Sequence, residues 1–297
     1  MNDPKKQKPA LDQAVFDLYD QYAHDEIDRR TFVNRLSRYA VGGLTVPALL
    51  DYLLPDYVHA QQVRAGDPRL DEEYVTYASP KGGGQIRALL VRPSGAEGPL
   101  PGVVVVHENR GLNPHIEDVC RRAGLAGFLA LAPDALTPLG GYPGNDDDGR
   151  ALQRQRDRME MLEDFIAGFG YLAGHAGCTG KVGVVGFCFG GWVANMMAAR
   201  VPDLKAAVPF YGSAPDVDEV PAIRAPLMLH FAGLDARVNA GWPPYEAALM
   251  EHQKAYSAHF YPNVNHGFHN DTTPRYDETA ARRAWQRTLA FFEAELR

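Results

Sequence analysis

Apolar and polar positions run along this chain with two different periods. Between Leu11 and His24 the apolar residues Ala14, Val15, Leu18, Tyr19 and Tyr22 recur at helical spacing, with Asp12 placed to cap the stripe. From Asp71 the period shortens to two. Glu73–Ala78 and Ile86–Val91 alternate as antiparallel strands do, and the stretch from Ser79 to Gly84, rich in Gly with one Pro, joins them as a hairpin. Val103–Val106 is an unbroken β-branched run, the signature of a strand covered on both faces. Strand and helix patterns then alternate. Strands are expected over 128–132, 182–187, 206–211, 226–232 and 258–261. Helices are expected over 117–126, 149–174, 245–252 and 275–296. That alternation predicts an α/β fold: a mostly parallel central sheet with helices on both faces.

The N-terminal part reads differently, and the boundary is set at residue 65: a helical extension over 1–65, then a catalytic domain over 66–297. The extension carries Arg29-Arg30-Thr31-Phe32-Val33-Asn34, an apolar stretch from Ala40 to Leu54, and Val58-His59-Ala60. Two readings stay open. One is a twin-arginine export signal, which would make the protein periplasmic. The other is a pair of amphipathic helices that dock on the main domain or join two copies in a homodimer, in a cytoplasmic protein; Asp51, interrupting the apolar stretch, suits this one.

Composition narrows the function. With 297 residues the chain can build one α/β domain and an appendage. A formal charge of -7 without a basic run argues against nucleic acid as a partner, and no stable membrane insertion is expected. Three cysteines are too few for a disulfide framework, and the ten histidines fall into no metal-ligand spacing. Neither a metal nor a cofactor is expected, and the partner is a small molecule.

The chemistry concentrates at Lys181–Ala199. Val182, Val184 and Val185 form a strand, the residues from Trp192 form a helix, and between them Gly186, Gly190 and Gly191 surround Cys188. This is the G-x-S-x-G nucleophile elbow of α/β-hydrolases with cysteine in place of serine. The following helix directs its positive end at the sulfur and favours thiolate. A buried structural cysteine is the competing reading, and it is the one given to Cys120 and Cys178. A nucleophile needs a base and the base an orienting acid, which in this fold follow in that chain order on later loops. Asp235 follows the strand Leu227–Phe231, and His266 lies in Asn263-Val264-Asn265-His266-Gly267 after the last strand. His230, His259 and His269 are read as structural. The backbone N–H groups of Phe189 and Asn109 are the oxyanion-hole candidates. Glu108 is either a carboxylate serving the cysteine or a surface partner of Arg110 or Arg121. The Gly-, Pro- and Asp-rich loop 139–149 is expected to overhang the site, with Arg110, Arg154 and Tyr142 as candidate substrate contacts.

These residues give the chain from about Asp71 to Arg297 a resemblance to the dienelactone hydrolase (carboxymethylenebutenolidase) family, carried by Gly186-Phe187-Cys188-Phe189-Gly190-Gly191, Gly233-Leu234-Asp235, His266-Gly267-Phe268 and Glu108. The resemblance implies an α/β-hydrolase fold and an acyl-enzyme mechanism on an ester or lactone, with Cys188 as nucleophile, His266 and Asp235 in support and Glu108 helping to activate the thiol. The family also holds a substrate carboxylate with an arginine a few residues past the histidine. Here His269, Asn270 and Asp271 stand there. A second family arginine, on the helix before the elbow, has Arg150, Arg154 and Arg156 as equal candidates. Rival readings are a hydrolase of the same fold with another acyl, peptide or carbon–halogen substrate, a non-catalytic ligand-binding member, and a redox role for Cys188.

Overall fold

A computed structural model describes residues 11–40, 45–57 and 60–297. The chain forms two compact units: one of residues up to Asp56 together with Thr273–Arg275, and one of Tyr57–Thr272 with Tyr276–Arg297. The division falls before residue 65 because the Asp118 carboxylate accepts from the backbone N–H groups of Gln62 and Val63, which ties that stretch to the larger unit.

The smaller unit holds helices α1 (Gln13–Ala23), α2 (Arg29–Leu36) and α3 (Val46–Leu53). Each begins at a side-chain cap, Asp12, Asp28 and Thr45 respectively. Val15, Leu18, Tyr19 and Ala23 of α1 close on Phe32, Leu36, Leu49 and Leu53, and the Tyr22 and Phe32 rings stack 4.6 Å apart. Arg29 and Arg30 are exposed in the first turn of α2. Residues 41–44 of the expected apolar stretch, and Val58-His59, lie outside the described residues. Among the described residues no helix is long and apolar enough to cross a membrane.

The larger unit is built on strands β1 (Leu70–Ser79), β2 (Gly84–Pro93), β3 (Leu100–Val106), β4 (Leu129–Pro133), β5 (Cys178–Phe187), β6 (Ala206–Phe210), β7 (Leu227–Ala232) and β8 (Tyr256–Tyr261). They form one sheet in the order β1-β2-β4-β3-β5-β6-β7-β8. β1 and β2 pair antiparallel, β2 pairs antiparallel with β4, and every other pairing is parallel. The pleat sends successive side chains to opposite faces. Val104 and Val106 therefore belong to one core layer with Met161, Leu162, Phe165 and Leu172 of α6 (Arg158–Ala173), a layer that extends to α7 (Phe189–Arg200) and α9 (Trp242–Glu251). Val103 and Val105 belong to the opposite core layer, with Ile116, Val119 and Cys120 of α4 (Pro114–Leu125) and Ala284, Phe292 and Leu296 of α10 (Glu278–Leu296). All four valines are fully buried, each contributing about 1.5 kcal/mol or more from apolar area removed from water.

The expected helices have different ends: 117–126 and 245–252 begin three residues earlier, at Pro114 and Trp242, and the two longest differ as well. The run 149–174 is two helices, α5 (Asp146–Gln153) and α6, because Asp157 turns its carboxylate back onto the N–H groups of Met159 and Glu160 and starts a new helix. The last helix starts at Glu278, capped by Asp277, rather than at Arg275.

Candidate active site

The parallel strands carry their chemistry on the loops at their carboxyl ends. Cys188 follows β5 at φ 56°, ψ -112°, and its N–H donates to Phe210 O. Such a bend leaves no room beside it. A Cβ on Gly186 would lie 1.9 Å from Gly190 O, and one on Gly190 would lie 2.5 Å from Val106 O and 2.7 Å from His107 O. The end of β3 and the first turn of α7 are thus in backbone contact, which brings the loop bearing Glu108 and Asn109 beside the elbow. Phe189 opens α7, and its ring stacks on His107.

His266 Nδ1 lies 2.5 Å from Asp235 Oδ2. Asp235 also caps the short helix α8 (Ala236–Asn239), its Oδ1 accepting from Val238 N at 3.1 Å. Burial would raise the Asp235 pKa, but the His266 ring and these hydrogen bonds outweigh it and hold the carboxyl below its ordinary range. The acid is therefore charged at neutral pH and fixes the imidazole by its Nδ1 edge. A ring nitrogen of His266 lies within 4.8 Å of Cys188 Sγ. Cys188, His266 and Asp235 are thus brought together from loops after β5, β8 and β7.

Glu108 is not a surface residue. It is buried, and its Oε2 accepts from Asn270 Nδ2 at 2.9 Å. Asn270 Oδ1 in turn accepts from Thr272 N and Oγ1. The position where the resemblance leads one to look for an arginine thus carries a neutral amide that grips Glu108.

Arg110 and Tyr142 are engaged within the protein. Arg110 Nη1 lies 2.5 Å from Asp146 Oδ2, and Asp146 Oδ1 accepts from the hydroxyls of Tyr57 and Tyr142. Arg154 is exposed at the end of α5. Arg150 pairs with Asp147, and Arg156 with Asp164 at 2.8 Å. Sequence reasoning passed over Arg158, whose guanidinium carbon sits 3.5 Å above the Trp192 ring one helical turn past Cys188. Desolvation there lowers its pKa, while the charges of Cys188 and Asp216 act the other way. No local pattern signals this pairing, because Arg158 opens α6, far before the elbow in the sequence.

His230 and His269, and Cys120 and Cys178, sit in structural settings. His230 is bonded to Tyr261 Oη and Thr288 Oγ1, and His269 stacks on Phe187. Burial pushes both far below the ordinary histidine range. It pushes the Cys120 and Cys178 thiols up, away from thiolate.

The dienelactone hydrolase family model matches residues 86–296. The chain belongs to the dienelactone hydrolase family. A second model, described as YqhI-like, matches residues 2–42. Similarity extends to the Escherichia coli (strain K12) protein named as hydrolase fragment YghX, 58% identical over 114 residues that make up 38% of this chain and 97% of that one. A Saccharolobus solfataricus protein bearing the name carboxymethylenebutenolidase is 30% identical over 247 residues, 70% of this chain and 94% of its own length. A crystal structure of a Klebsiella pneumoniae protein described as a dienelactone hydrolase superposes with a TM-score of 0.66 at 30% identity, over 75% of this chain and 99% of that one. This dienelactone hydrolase family member is thus a hydrolase with the α/β-hydrolase fold.

Proposed function

We propose that the protein hydrolyses an ester or lactone through a covalent thioester on Cys188. His266 takes the thiol proton, and the thiolate attacks the carbonyl carbon to form the C–S bond. The N–H groups of Phe189 and Asn109 meet the charge that develops on the oxygen. As the C–O bond breaks, His266 returns the proton to the leaving oxygen. A water then gives its proton to His266 and attacks the thioester, releasing the carboxylic acid and restoring the thiol. Asp235 keeps the imidazole in the tautomer this requires and stabilises the imidazolium. Glu108, gripped by Asn270, takes the part the family gives its glutamate in activating the thiol.

The observation that carries this reading is the run from Asp235 through His266, bonded at 2.5 Å, to a sulfur within 4.8 Å of the same ring. Thiolate is itself a good leaving group, so activated acyl groups, enol and aryl esters and strained lactones, should be the best substrates. The test is a panel of p-nitrophenyl esters, enol lactones and alkyl esters with the wild-type protein and Cys188→Ala. Turnover of the activated members that vanishes in the variant is expected; near wild-type rates in Cys188→Ala would overturn the mechanism.

A further inference from the structure

One bulky aromatic near the site sits on a backbone that suits glycine. Tyr211, directly after β6, has φ 38°. Left-handed backbone costs a non-glycine residue, a large aromatic above all, and persists only where the surroundings enforce it. The surroundings here are tight. A Cβ on the next residue, Gly212, would lie 2.2 Å from the carbonyl carbon of Gly191 in the elbow helix. The Tyr211 N–H donates to His230 O at 2.7 Å, which pins the bend to β7.

The side chain that this bend delivers is buried, and its ring centroid stands 4.9 Å from that of His266, inclined at 58°. Phe268 and Phe187 back the tyrosine ring at 5.5 Å and 6.3 Å, and Phe187 immediately precedes Cys188. We propose that Tyr211 is a positioning residue for His266. Its ring, driven inward by the strained bend, blocks the imidazole rotation that would break the Asp235 hydrogen bond and carry the ring away from the sulfur. A glycine would relax the backbone and remove the wall. This proposal rests on the assignment of Cys188 and His266 as nucleophile and base.

The experiment measures kcat, KM and the pH profile of p-nitrophenyl acetate hydrolysis for Tyr211→Phe, Tyr211→Leu and Tyr211→Asn, alongside Cys188→Ala and His266→Ala. Asparagine tolerates positive φ better than most side chains, so it removes the ring without added backbone strain and serves if the leucine variant does not fold. The phenylalanine variant should stay within about threefold of wild type. The leucine and asparagine variants should lose at least tenfold in kcat with KM within about threefold, and the acid limb of kcat/KM should move, because the geometry of the base and not substrate binding has changed. Unchanged kcat and pH profile per folded molecule, whatever the loss of melting temperature, would mean that the ring only packs and would overturn the proposal. Activity surviving in His266→Ala would overturn the triad, and the positioning role with it.

Discussion

Replacing Asp235 by asparagine removes one negative charge and leaves the shape of the site almost unchanged. The structure dictates how the new amide would turn. Val238 N–H donates to Oδ1, so the amide carbonyl stays there and the NH2 group faces His266 Nδ1. An imidazole receiving a hydrogen bond at Nδ1 carries its proton on the other nitrogen, the one that has to accept a proton from Cys188 or water. The variant would hold the wrong tautomer and lack the charge that stabilises the imidazolium. Where a serine-protease triad suffers this exchange the loss is about 10⁴-fold; because thiolate forms more easily than alkoxide, we expect between about 10² and 10⁴ in kcat, or about 2.7–5.5 kcal/mol of barrier. Stopped-flow hydrolysis of p-nitrophenyl acetate separates the acylation burst from turnover, and both should slow. The melting temperature should change little, since asparagine caps α8 as well as aspartate does. A folded Asp235→Asn protein with kcat within tenfold of wild type would refute the reasoning.

Two further outcomes follow from burial. In Gly186→Ala the added carbon must displace the Gly190 carbonyl that it would meet at 1.9 Å, so the elbow opens; a loss of about 3 kcal/mol or more, near the upper end for overpacking, should appear in urea denaturation together with loss of turnover, and a wild-type midpoint would contradict the close-approach argument. The second outcome concerns pH. His230 and His269 are held neutral in the fold, with pKa values depressed by burial, so only the unfolded chain takes up their protons as the pH falls below about 6.5. Stability should therefore be fully present above that pH and decline below it, by up to about 1.4 kcal/mol per unit for each ring. Asp235 and Asp271, whose pKa values are also depressed, add their own losses only below the ordinary carboxylate range. Chemical denaturation between pH 7 and 5 should show the decline, and His230→Gln should make it shallower without abolishing it, since His269 remains; a flat wild-type curve would contradict the neutral assignment.

The strands and the elbow were readable in the sequence because their causes are local. Val103–Val106 is β-branched without a break, and the glycines around Cys188 are spaced as a strand-to-helix bend demands. Asp235 and His266 were readable for the same reason, each lying in the loop that ends a visible strand. The split between α5 and α6 was missed although its signal lies in the sequence: Asp157 is a cap, and the six polar residues Gln153–Arg158 interrupt the apolar pattern. The start of α4 at Asn113-Pro114 was missed in the same way, although asparagine as cap and proline in the first turn mark a helix start. What no local pattern could give are pairings between distant residues. Asn270 grips Glu108 across 162 positions, Arg110 reaches Asp146, and the Tyr211 ring meets His266. Each depends on how the loops of different strands are brought side by side, which the sheet order decides and periodicity does not encode.

The central claim is that an acyl group passes through the sulfur of Cys188. Rapid quenching of the wild-type protein with p-nitrophenyl acetate in the first turnovers, followed by intact mass and peptide mapping, tests it most directly. The account predicts one acetyl group, on the peptide that carries Cys188, which disappears as substrate is exhausted and accumulates further in His266→Ala if that variant still acylates. Turnover with no acyl group on Cys188, or with the acyl group on another side chain, would contradict it.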